Sequence, residues 1–354
     1  MSRLLLFGSI VPPGAVGADP PRSPGPVLAL LRCASCRFTA FYLAPFFAGI
    51  DLARRDAGFW VPFAVLYLGL VSITGELLNR LSDRIEDRVN RPERTALCDV
   101  VGYDRLRRIA IALWIALAIA DVAWIASDPR VSLAIAIGSI AFIGINYSYL
   151  LRFKTRRYWA PIVLTGTFAQ PFLLGWCAMP DQRTGGAAAA AFTVFMSGVF
   201  ATLIGSKDVT DVAGDAQVGY RSATLAMLVR SGAVKLVAIL AAPFALLVGF
   251  VALGVLPPRF LLIVLASPLC AVIAAMLRRA RTPVEQQVAR EVFYHLWFGF
   301  QLICLLVYSP EPVIAAVFTA ISAYWLVASR YLHWNDGLRR WKLALVITLL
   351  WRSP

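Results

Sequence analysis

Apolar runs recur along the whole chain, at residues 34–53, 58–79, 105–126, 131–151, 158–179, 187–206, 232–255, 259–277, 290–309 and 312–330. A helix needs about 20 mostly apolar residues to cross a hydrocarbon core of roughly 30 Å, and each run is near that length. Backbone in lipid has no water to bond with, so such a run closes its hydrogen bonds within itself as a helix. The pattern predicts an all-α, polytopic transmembrane bundle of about 9–10 spans. A last apolar stretch, 341–351, is too short to span and is expected on the surface or against the bundle.

The stretch before the first run breaks the pattern. Residues 1–28, MSRLLLFGSIVPPGAVGADPPRSPGPVL, are dense in Pro and Gly and predict a flexible tail. The bundle is then expected over 29–333, with two related halves at about 34–151 and 158–277, and a short C-terminal segment over 334–354. Arg3 ahead of LLLFGSIV, with Val16, Gly17 and Ala18 as a cleavage site, raises a signal peptide as the alternative. Its removal would reverse the topology.

Composition agrees with the pattern, since 59% of the 354 residues are hydrophobic and only 15% charged. The basic residues are unevenly placed. Residues 80–108 hold eight Arg, and 152–157, 207–235, 278–290 and 330–342 hold four Lys or Arg each. These connections fall on one side of the bundle and carry 24 of the 34 basic residues. Lys and Arg collect on the cytoplasmic side, so both termini are expected there, in what reads as a bacterial cytoplasmic membrane. A net charge of +14 would point a soluble protein toward nucleic acid. Here the loop asymmetry and the attraction of anionic headgroups account for it, and no nucleic-acid partner is expected.

Several chemistries lack their residues. Six Cys stand at 33, 36, 98, 177, 270 and 304, and only Cys33 and Cys36 form a CxxC, without the second pair that zinc requires. Small residues packing in a helix is the better reading of that pair. His295 and His333 lie too far apart in sequence to suggest a site, and there is no phosphate loop, GxSxG or HExxH.

Candidate chemistry begins where the second run ends, in ELLNRLSDRIEDRVNRPER, from Glu76 to Arg94. If the helix continues, Asn79, Asp83 and Asp87 share one face, because residues four apart are helical neighbours. A second acidic set follows the sixth run in GSKDVTDVAGDAQVGYRSATL, where Asp208, Asp211 and Asp215 also share a face. The two sets predict acidic clusters facing each other across the cytoplasmic end of a central cavity. Carboxylates crowded together require a cation among them, and oxygen ligands completed by water and phosphate describe Mg²⁺. For either cluster alone, a solvated, Arg-paired loop would serve as well. A third polar patch, INYSYLLRFKTRRYW, brings Tyr147, Ser148, Arg152 and Lys154 to the same side. It is either a positive-inside anchor or, beside bound metal, the cationic counterpart that a diphosphate needs.

Together these residues resemble the UbiA superfamily of intramembrane prenyltransferases. The resemblance is carried by N-x3-D-x3-D in Asn79, Asp83 and Asp87, YSxxxRxK in Tyr147 to Lys154, and KDxxDxxGD in Lys207 to Asp215. It implies a helical bundle around a cavity capped by the two acidic loops and open sideways to lipid. It also implies Mg²⁺ on Asp83, Asp87, Asp208, Asp211 and Asp215, bridging them to an allylic isoprenoid diphosphate. Asn79 would then orient a metal ligand or water, while Tyr147, Arg152, Lys154 and Lys207 would hold the diphosphate. The family often has Asp directly after the first Asn, where this chain has Arg80, so one metal-side carboxylate is either missing or replaced by Glu76. It also often has prolines where Tyr149 and Leu150 stand.

The expected reaction is transfer of the prenyl group to a small, aromatic acceptor, with release of diphosphate. The alternatives are a cyclase of the same superfamily, which quenches the cation within its own chain, and a non-enzymatic carrier whose acidic loops bind cations. Asn146, Gln170 and Gln301 lie inside runs and are candidates for the acceptor pocket or for interhelical hydrogen bonds. Asp121 is expected at the outer interface.

Overall fold

A computed structural model describes residues 24–50, 57–127, 159–177, 185–211 and 233–334, with positions 215, 217, 347 and 349 beyond them. Among these residues every regular element is helical. The order is α1 (Pro26–Cys33), α2 (Thr39–Gly49), α3 (Ala57–Ser82), α4 (Arg84–Asn90), α5 (Pro92–Val101) and α6 (Tyr103–Ser127). Then come α7 (Trp159–Cys177), α8 (Gly186–Leu203), α9 (Ala233–Ala252), α10 (Leu262–Leu265), α11 (Pro268–Arg279), α12 (Pro283–Tyr308) and α13 (Pro312–Tyr331). Short 3-10 turns at Cys36–Phe38, Ile204–Thr210 and Pro258–Leu261 lead into α2, out of α8 and into α10.

Five stretches among the described residues are long and apolar enough to cross a membrane: Gly186–Thr210, Val234–Ala252, Pro258–Arg279, Pro283–Tyr308 and Pro312–Tyr331. A sixth is formed if Pro26–Cys33 and Cys36–Gly49, bent by 44°, act as one. Helices α3, α6 and α7, of 26, 25 and 19 residues, are as long as spans. The run at 131–151 lies outside the described residues. The outer surface is what lipid demands: Val234 on α9 is 86% and Leu253 78% exposed, a pattern that in water would mark an interaction patch.

The main core joins α2, α3, α7, α8, α9, α12 and α13. Where α2 passes α7, Gly49 lies against the Phe172 carbonyl and Gly175 against that of Phe46, closer than any Cβ would allow. Small residues let two backbones approach where lipid gives no hydrophobic drive between helices. A second, smaller core forms at the charged end, where Ala29 and Cys33 of α1, Leu77 and Leu78 of α3, and Leu97 and Cys98 of α5 pack together with Trp334. That cap fixes α5 over the end of α3 and so positions the acidic segment between them.

Local sequence explains the breaks. Pro92 begins α5, since Pro suits a first helical turn, and Gly102, at φ +87°, ends it so that α6 starts at once. Helix α12 starts seven residues before the apolar run expected at 290. Thr282 accepts the Glu285 N–H at 3.2 Å, Glu285 accepts the Thr282 N–H at 3.0 Å, and Pro283 opens the first turn. Arg290 and Glu291, which open the apolar run in the sequence, therefore sit two turns inside a helix and are buried.

Candidate active site

The first acidic segment keeps helical bonding through the boundary between α3 and α4. The Asp83 N–H donates to the Asn79 carbonyl at 2.9 Å, Asp87 to Asp83 at 2.8 Å, and Arg91 to Asp87 at 2.9 Å. Asn79, Asp83, Asp87 and Arg91 consequently lie along one face. The second segment does likewise, with Asp211 donating to Asp208 and Asp215 to Asp211, each at 2.9 Å.

The two segments meet. Asn90 donates its side-chain N–H to the Asp211 carbonyl at 2.8 Å, and Arg91 forms an ion pair with the Asp211 carboxylate. Asp87 is paired with Arg94, and Lys207 with the neighbouring Asp208 at 2.5 Å. Burial opposes ionisation of Asp211, but Arg91, Arg290 and Lys207 outweigh it and hold the carboxyl well below the usual range. In Arg94 the balance is reversed, as burial and the neighbouring Arg80 and Arg91 pull its guanidinium below its ordinary value against the pull of Asp87. The Nε atoms of both Arg91 and Arg94 are buried without a hydrogen-bond partner.

Glu76 and Arg80 form an ion pair within α3, and Arg80 Nε donates to the Cys33 carbonyl at 3.1 Å. The residue standing where the motif often has Asp thus ties α3 to α1. Glu76 is held by that arginine, as Asp87 and Asp211 are by theirs.

The charged end also receives residues that the sequence motifs did not include. Helix α12 packs against the Ile204–Thr210 turn. It carries Arg290, whose Nη2 donates to the Tyr294 hydroxyl at 3.4 Å, and Glu291, whose Oε2 accepts from Arg37 at 3.0 Å. His333 is buried too, and burial together with Arg37, Arg290, Arg80 and Arg94 keeps its pKa well below the ordinary value. A readable signal existed in the Thr282–Glu285 capping box, which starts the helix early enough to turn Arg290 and Glu291 inward. Nothing comparable marked His333.

Other expectations fare differently. Tyr147, Ser148, Arg152, Lys154 and Asn146 lie outside the described residues. Gln170 is buried in α7, and Gln301 donates to the Phe41 carbonyl at 3.3 Å, an interhelical bond rather than a free pocket group. Asp121, expected at the outer interface, is buried between helices and accepts from the Tyr67 hydroxyl at 2.8 Å. The aspartate can turn inward because α3 and α6 pack together and supply that phenol. Cys33 meets Cys98, with the sulfurs 3.4 Å apart, and not Cys36.

Among the described residues no three His, Cys, Asp or Glu side chains gather as a metal centre. The donor chemistry nonetheless suits Mg²⁺, because carboxylates with a nearby amide are hard oxygen ligands and Asp211 is held ionised. Chemically, the arrangement offers carboxylates to a cation and guanidinium groups to an anion within one buried patch.

Comparison with known proteins completes the description. A solved structure reported for digeranylgeranylglyceryl phosphate synthase in membranes is similar at 14% identity and a TM-score of 0.49, covering 80% of this chain and 96% of that one. No curated protein matches the sequence. The sequence does match the profile of the UbiA prenyltransferase family over residues 42–297, which takes in both acidic segments and α12 as far as Trp297. An all-helical membrane bundle whose two acidic segments meet at its charged end, matched over most of its length, belongs to the UbiA prenyltransferase family.

Proposed function

We propose that this chain catalyses Mg²⁺-dependent transfer of a prenyl group from an allylic isoprenoid diphosphate to a small aromatic acceptor. The observation that supports this best is the junction of Asn90 and Arg91 with Asp211, which puts the two acidic segments within reach of one headgroup. Asp83, Asp87, Asp208, Asp211 and Asp215 would hold the metal, with Asn79 orienting a ligand or water. Mg²⁺ bound there supplies divalent charge against the diphosphate as it departs.

The chain's own residues do the rest. The guanidinium groups of Arg91 and Arg94 are held by Asp211 and Asp87. The N–H donors of both guanidinium groups match phosphate oxygens. Lys207, with Tyr147, Arg152 and Lys154, is assigned to the same diphosphate. The C1–O bond of the prenyl diphosphate breaks with its electron pair leaving on oxygen. The acceptor ring then forms a carbon–carbon bond to C1 and loses a proton. The charged end is assigned to the cytoplasmic side, on the distribution of Lys and Arg.

Purified protein incubated with Mg²⁺ and prenyl diphosphates of graded length tests this. Diphosphate release that requires an added aromatic acceptor is the expected result. A cyclic hydrocarbon formed without acceptor would replace transfer by cyclisation, and no release under any condition would leave a carrier.

A further inference from the structure

Five arginines are buried among the described residues, and four of them have a carboxylate: Arg37 with Glu291, Arg80 with Glu76, Arg91 with Asp211 and Arg94 with Asp87. Arg290 is the exception. It is only 9% exposed, its one hydrogen bond is to the neutral Tyr294 hydroxyl, and its Nε has no partner. Its guanidinium carbon lies 5.5 Å from the Tyr294 ring centroid, so an aromatic face supports it without neutralising it.

A buried guanidinium without a counter-ion is costly, and an apolar side chain at the same place in a spanning helix would avoid that cost. The nearby charges do not supply the missing anion. Asp211 feels Arg290 but is already paired with Arg91, and Arg290 adds to the positive field acting on both Arg94 and His333. Among the described residues no carboxylate is left to pair with Arg290 itself.

We infer that Arg290 binds the diphosphate of the substrate directly, as a contact from α12 that the acidic and basic motifs of the sequence do not include. This rests on the proposed prenyl diphosphate substrate. The fork of N–H donors on arginine suits two phosphate oxygens at once, with Tyr294 setting the plane of the guanidinium. Because the contact comes from the protein and not through metal, part of the affinity for diphosphate survives when Mg²⁺ is removed.

Titration calorimetry with inorganic pyrophosphate, in Mg²⁺ and again in EDTA, tests it on wild type, Arg290→Gln, Arg290→Lys and the control Arg84→Gln, whose exposed guanidinium lies over Tyr103. Arg290→Gln is expected to raise Kd at least tenfold in both media and to raise KM for prenyl diphosphate more than it lowers kcat. Arg290→Lys should fall between it and wild type, and Arg84→Gln should match wild type. The melting temperature of ligand-free Arg290→Gln should equal or exceed that of wild type, since an unpaired buried charge has been removed. An unchanged Kd in Arg290→Gln, or failure of both Arg290 variants to fold, overturns the inference by making Arg290 structural. A wild type that neither binds pyrophosphate nor releases diphosphate instead sinks the proposed function itself.

Discussion

The Arg37–Glu291 pair and the Arg91–Asp211 and Arg94–Asp87 pairs are all buried at the charged end of the bundle, yet they are built differently. Arg37 touches both oxygens of Glu291, and rings of Phe38, Trp325 and Tyr294 stand 5.0, 5.1 and 5.3 Å from its guanidinium carbon. Arg91 and Arg94 each reach a single oxygen of their partners. A two-point pair closed in by aromatic rings is harder to part than a one-point pair beside other charges, which can trade partners. The closed pair ties the start of α2 to α12; the open pairs join the two acidic segments without sealing them.

The largest effect that separates the two is on folding. Glu291→Gln leaves Arg37 charged and unpaired in an aromatic enclosure, and it should lower stability by about 3–5 kcal/mol in a detergent unfolding titration. Equal stability to wild type would erase the distinction between closed and open pairs. Next come Asp87→Asn and Asp211→Asn, which should leave the protein folded in the membrane while kcat/KM falls on the order of 10² or more, as when a charge-stabilising contact is lost. Full activity in either variant removes that carboxylate from the site.

Gly175→Ala sharpens the contrast from a distance. Its new methyl meets the Phe46 carbonyl on α2, so stability should drop by about 1–3 kcal/mol, while Kd for pyrophosphate stays at the wild-type value. A matching loss of affinity would mean that the open region depends on how α2 packs. The smallest effect expected is in acid. A carboxylate whose folded pKa is depressed adds stability that is present above the unfolded value of about 4 and is lost as pH falls from there through the folded value. Asp211 has this shift, so wild type should lose stability below about pH 4, and Asp211→Asn should show a slope weaker by of order 1 kcal/mol across that window. Identical slopes would show that Asp211 is not held by its arginine in solution.

Much of the site could be read from the chain because its spacing is local. Asn79, Asp83 and Asp87 fall on one face by helical periodicity alone, and the backbone bonds from Asn79 to Arg91 follow that periodicity. The start of α12 was legible in principle too, in a capping box four residues long. Arg290 was misplaced because hydropathy marks where a helix turns apolar and not where it begins. The partner of Asp121 was out of reach for a related reason, since only the packing of α3 on α6 reveals that Tyr67 is there to receive it.

By itself the sequence determined the all-helical membrane architecture, the two acidic faces and the family, because hydropathy, helical period and motif spacing are properties of neighbouring residues. Tertiary structure alone decided that Arg91 would meet Asp211 across 120 positions, that Cys33 would face Cys98 rather than Cys36, and that His295 and His333 would border one aromatic cluster through Trp325 and Phe38. Those pairings depend on which helices pack against which. A buried charge takes its partner from whatever the bundle brings within a few ångströms, and no local pattern records that choice.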